Sequence, residues 1–85
     1  DDLRSFTISK ADLEKGINIA DLLAESTQIL KSKGEVRRAI KGSAIAVNKT
    51  KAKSFEEVVN VEALMHGKYI MIENGKKNKF MIVAN

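Results

Sequence analysis

The chain has no cysteine, no proline and no tryptophan, and only one histidine and one tyrosine. Without cysteine there are no disulfides, no thiolate metal sites and no thiol catalysis. A histidine metal site or a serine–histidine relay would rest on His66 alone. Flanked by Met65 and Gly67, that residue reads as a partly packed loop histidine. No apolar run approaches the roughly 18–20 residues that span a bilayer, and no signal-peptide pattern opens the chain. The expectation is an intracellular protein without a membrane partner. The glycines at 16, 34, 42, 67 and 75 fit no phosphate-cradling loop. Glu56 and Glu57 are adjacent, so their side chains diverge and read as a solvated pair rather than a paired-carboxylate site. No catalytic residue, metal site or cofactor is expected in this chain by itself.

What is present is charge, unevenly spread. The 85 residues suit one domain with a modest core, and their formal net charge is +4. Residues 1–30 hold three basic and six acidic side chains. Residues 31–53 hold eight basic side chains (Lys31, Lys33, Arg37, Arg38, Lys41, Lys49, Lys51 and Lys53) against Glu35 alone. Residues 54–67 carry only Glu56, Glu57 and Glu62, and the remainder carries Lys68, Lys76, Lys77 and Lys79 against Glu73. A cationic block inside a folded domain, rather than in a tail, points to a polyanion-binding face. The chain opens Asp1-Asp2 without methionine, which suggests a piece of a longer protein.

The pattern of elements is α+β. Phe6-Thr7-Ile8 suits a short strand or docking segment. Ser9 and Asp12 form a capping-box pattern for a short turn that stops at Gly16. Asn18 caps a second helix with Ile19, Leu22 and Leu23 on one face and Asp21 and Glu25 on the other. Ser32 and Glu35 form another capping box, before Val36, Ala39 and Ile40 at helical spacing, with Gly42 closing the helix. These two helices make an αα-hairpin whose second member is amphipathic and basic. Ala44–Asn48 alternates as a strand, and Asn48–Ser54 reads as a lysine-rich turn and edge. Phe55, Val58, Val59, Val61, Leu64 and Met65 are expected to add core, with a helical turn near 61–65. Tyr69–Ile72 and Phe80–Val83 read as strands around Asn74-Gly75, a type I′ hairpin signal. The expected domain is a two-helix hairpin packed on a short, mostly antiparallel sheet that ends in a β-hairpin.

The segment from Ser32 to Lys49 carries the functional expectation. Its helix begins with amides and a positive dipole end that suit a phosphate. Lys33, Arg37, Arg38 and Lys41 extend that surface, and Lys49, Lys51 and Lys53 continue it past the strand. A-form RNA hides its base edges in a deep groove, so such a face reads backbone shape. Base readout by stacking wants exposed aromatics, and Tyr69 in its strand reads equally well as structural. The candidate RNA-binding residues are Lys31, Lys33, Arg37, Arg38, Lys41, Lys49, Lys51 and Lys53, with Lys76 and Lys77 at the hairpin tip.

The run Ser32-Lys33-x-Glu35-x-Arg37-Arg38-x-Ile40-x-Gly42, ending in Val47-Asn48, resembles the RNA-binding domain first described in small-subunit ribosomal protein four. Asn18–Glu25, Gly67-Lys68-Tyr69 and Gly75–Phe80 narrow the resemblance to the C-terminal domain of bacterial-type and mitochondrial tyrosyl-tRNA synthetases. The likeness covers about residues 17–84. It implies an RNA-binding domain over 17–85, with 1–16 as a lead-in from a catalytic body upstream. It further implies a tRNA-Tyr partner held near the anticodon stem and variable arm, and ATP as a substrate of the parent enzyme. The parent is expected to dimerise through its catalytic domain and this part to be monomeric. The implied compartment is the bacterial cytoplasm, with the mitochondrial matrix as the other that the resemblance allows. Two departures stand out: Ser43-Ala44 where the family often has a glycine pair, and Asn48-Lys49 where it often has Asn-Gly. The same fold on a pseudouridine synthase or a ribosome-associated factor, or a protein-interaction module, are the alternatives.

Overall fold

The computed structural model of the chain describes residues 4–75 and 78–85. Strand β1 (Arg4–Ile8) leads into helix α1 (Lys10–Lys15), the two-residue strand β2 (Ile17–Asn18) and helix α2 (Ile19–Asp21). Helix α2 continues as a π-helical turn over Leu22–Ser26. Helix α3 (Lys33–Lys41) then feeds β3 (Ile45–Val47), β4 (Thr50–Lys51), β5 (Val58–Val59) and a 3-10 turn over Val61–Ala63. Strands β6 (Tyr69–Asn74) and β7 (Asn78–Ala84) finish the chain. The main sheet runs β1-β7-β6-β3-β4, with β1 parallel to β7 and the other pairs antiparallel. Strands β2 and β5 form a separate antiparallel pair.

The core lies between this sheet and the helices. Ile70 and Ile72 alternate inward on β6, and Ile82 stands opposite Ile70 on β7. Leu22 and Leu23 of the π-helical turn and Val36 and Ile40 of α3 pack against the sheet's buried side chains. The αα-hairpin on a mostly antiparallel sheet is therefore the architecture that the periodicity implied. Thr27 is buried where the π-helical turn ends, and its hydroxyl donates to the Leu22 carbonyl at 2.8 Å. Among the described residues, no helix is long and apolar enough to cross a membrane.

Residues 1–16, expected as a lead-in, carry from Arg4 onward a paired strand and a helix. Strand β1 is in register with β7 from Arg4 opposite Phe80 to Ile8 opposite Ala84, and Leu13 of α1 is fully buried. Three local expectations change. The Ser9 side chain does not cap α1; the Lys10 amide is bonded to the Asn85 carbonyl, so the chain's end docks onto the helix start. The final hairpin is not a two-residue turn on Asn74-Gly75. Asn74 pairs with Asn78 inside the ladder, and Gly75, at φ +78°, begins the connection. Finally, Phe55 and Val58 are not core residues: they are 37% and 62% exposed. On the narrow β2–β5 ribbon only one face meets the core, so Val59 turns in and Val58 turns out.

Candidate nucleic-acid interface

Helix α3 presents its cations because its apolar positions leave them no other side. Val36 and Ile40 are buried, while Arg37, Arg38 and Lys41 are exposed. The Ser32 hydroxyl caps the helix by accepting from the Glu35 amide at 3.2 Å. The reciprocal arm reaches one residue further than a capping box requires, the Glu35 carboxylate accepting from the Lys31 amide at 3.4 Å. Lys33, Arg37 and Lys41 are each four residues apart and share one stripe.

The two ends of that stripe meet different neighbours. At the N-terminal end the Lys33 ammonium bonds to Asp21 at 2.7 Å and Glu25 at 3.3 Å, both on the preceding helical segment. The hydrogen bond to Asp21 and then that to Glu25, helped by their charge, hold the Lys33 amine above its ordinary pKa. Asp21 and Glu25 thus offset the Lys33 charge at the start of α3, and Glu35 adds a carboxylate in its first turn.

One turn further on, toward the C-terminal end, the Arg37 guanidinium lies over the Phe55 ring, 4.3 Å from its centroid. Phe55 is placed by a loop wired through side chains. Glu57 accepts from the Lys53 and Ser54 amides at 2.7 and 3.3 Å, and Asn18 donates to the Phe55 carbonyl at 3.0 Å. Glu57 is thus a loop brace and its neighbour Glu56 is exposed, so the two do not form a joint carboxylate site. Arg37, Ile40, Lys41, Lys53, Ser54 and Phe55 line an open groove of about 330 Å³.

A second groove, of about 470 Å³, is lined by residues that include Ser43, Lys49, Lys51, Glu73 and Lys79. The Lys51 ammonium donates to the Ser43 carbonyl at 2.7 Å, linking this groove to the end of α3. The fold therefore gathers Arg37, Lys41 and Lys53 in one groove and Lys49 and Lys51 in the next, and adds Lys79. Lys31 and Arg38 are exposed outside both linings, Lys33 is turned to the acids, and Lys76 and Lys77 lie outside the described residues. Phe55 is the residue that sequence reasoning missed. Its signal was an aromatic set directly after Lys53-Ser54. His66 is exposed, and its ring centroid is 5.8 Å from that of Tyr69. Among the described residues, no group of His, Cys, Asp or Glu is placed to hold a metal ion.

Residues 1–82 match the family model described as Tyrosine--tRNA ligase SYY-like C-terminal domain. The chain belongs to that family. It is 35% identical over 79 residues to a tyrosine–tRNA ligase of Bacteroides thetaiotaomicron, a stretch covering 93% of this chain and 18% of the relative. It is 41% identical over 75 residues to the ligase of Flavobacterium psychrophilum, covering 88% of this chain and 17% of that one. The chain thus spans under a fifth of the length of these curated relatives.

Within this ligase C-terminal domain, both departures from the family pattern fall on left-handed backbone. Helix α3 ends in a Schellman arrangement: Ala44 N–H bonds to Ala39 O at 2.8 Å and Ser43 N–H to Ile40 O at 2.9 Å. The left-handed position is Ser43, at φ +61°, whereas Gly42 has an ordinary φ of −85°. Gly42 thus sits one residue before the position that needs a glycine. Ser43→Gly should raise unfolding stability by about 0.5–1 kcal/mol, since relieving the side-chain clash outweighs the added freedom of the unfolded chain. Urea denaturation with an unchanged m-value checks this.

Asn48 and Lys49 are both left-handed, at φ +51° and +72°, as a type I′ turn between β3 and β4 requires. Asn48 stabilises the turn from its side chain, donating to Ala63 O at 2.6 Å and accepting from Met71 N–H at 2.9 Å. Lysine in place of glycine at 49 therefore keeps the turn and puts a cation at its tip.

Proposed function

We propose that this chain is the tRNA-binding part of a tyrosine–tRNA ligase, gripping the phosphate backbone of tRNA-Tyr near the anticodon stem and variable arm. On this reading ATP and tyrosine are handled by a catalytic body elsewhere in the parent protein, which also forms its dimer. The observation that carries it is the grouping of Arg37, Lys41 and Lys53 in one groove and of Lys49 and Lys51 in a second, with Lys41 lining the first and its neighbour Gly42 the second. Family membership supports the identity of the RNA, since the curated relatives are tyrosine–tRNA ligases.

Salt dependence tests the reading. Each neutralised phosphate releases condensed counterions, so five such contacts give log K against log[salt] a slope of roughly −3.5 to −4.5. Titrating the chain with tRNA-Tyr across salt concentrations should return that slope. A flat response, or no binding at low salt, would mean that the lysines serve solubility and the domain is an interaction module.

A further inference from the structure

We infer that the Arg37–Phe55 pair is a stacking platform for one unpaired RNA base, whose flanking phosphates meet Lys41 and Lys53. The inference rests on the RNA-binding reading and adds to it a nucleotide conformation that phosphate contacts alone would not select.

Three features of the site carry it. Phe55 is held at the surface rather than in the core, although its loop is pinned from both sides by Glu57 and Asn18. The Arg37 guanidinium lies 4.3 Å from the Phe55 ring centroid, a contact that favours one position of a long, mobile side chain. The groove they border has Ile40 among its lining residues and cations at Lys41 and Lys53, and its volume of about 330 Å³ falls at the small-ligand end of known sites.

An apolar patch with a flat cationic lid suits a nucleobase better than a bare phosphate, which would gain nothing from the ring. Bases splayed out of a helix stack on arginine planes as well as on aromatic rings. Inside a duplex, by contrast, each base face is already covered by its neighbours. Tyr69 does not offer the same chance: it is half-buried in β6, beside His66.

The test compares two RNAs: a short blunt duplex, and the same duplex with one unpaired adenosine. The chain should bind the bulged RNA about tenfold more tightly than the blunt one, within the range that base stacking supplies. Phe55→Leu should abolish this preference while leaving blunt-duplex affinity within about twofold, because the phosphate contacts remain. Circular dichroism verifies that this variant is folded. Should it not be, Arg37→Lys, on an exposed side chain, gives the same readout: the bulged-to-blunt ratio falls toward one as the planar face is lost. Equal affinity of the parent chain for both RNAs, or a preference that survives Phe55→Leu, overturns the stacking site and leaves RNA binding intact. Failure to bind either RNA overturns both.

Discussion

Replacing Arg37, Lys41 and Lys53 together with alanine should weaken tRNA-Tyr binding by about 100-fold at low salt, taking each charge-assisted phosphate contact as roughly 1 kcal/mol. The three line one groove, so the change empties a contiguous stretch of the proposed interface instead of thinning it evenly. Losing three of five contacts should also flatten the salt slope by about 2–3 units. The variant should remain folded, since all three side chains are exposed and none forms an ion pair recorded between described residues. Changing Lys33 alone provides the contrast. Its ammonium is committed to Asp21 and Glu25, so Lys33→Ala should alter affinity far less than the groove variant does. Parallel titrations of the two variants with tRNA-Tyr check this, and a Lys33→Ala loss of about one third of the groove variant's free-energy loss would mean that charge count matters more than placement.

Ile40→Ala is expected to cost about 2–5 kcal/mol of unfolding free energy. Ile40 is 5% exposed and belongs to the core cluster, while its neighbours Arg37 and Lys41 border the groove. A domain of 85 residues has a total stability of roughly 4–13 kcal/mol, so the loss is a large share of it. Chemical denaturation should show a markedly lower midpoint, and tRNA binding should fail in step with folding. A midpoint within experimental scatter of the parent would mean that α3 is not docked through this residue.

Much of this architecture was readable from spacing. Val36 and Ile40 at one helical turn forced Arg37 and Lys41 outward, and the Asn18 and Ser32 caps marked both helix starts where the structure has them. The tight-turn signals were less secure. Asn74-Gly75 has the composition of a two-residue turn, yet Asn74 is drawn into the ladder opposite Asn78. Asn48-Lys49 lacks the glycine and still makes a left-handed pair, because Ala63 O and Met71 N–H hold the Asn48 side chain. In both cases strand register and tertiary hydrogen bonds outweighed the preference of the dipeptide. Ser9 has the composition of a cap, yet its side chain makes no capping hydrogen bond, while the neighbouring Lys10 amide finds its partner at Asn85.

The amino-acid order alone determined which residues of the helices face inward and that the middle of the chain is cationic, since side-chain periodicity and charge are local properties. It did not determine what stands opposite each cation. Lys33 and Arg37 lie on one stripe of one helix, yet the first meets two carboxylates and the second a phenyl ring. Those partners come from segments separated from α3 in sequence, and only the packing of α2 and of the 53–57 loop around it brought them there. Electrostatics and stacking depend on separations of a few ångströms, and such separations exist only once the chain has folded.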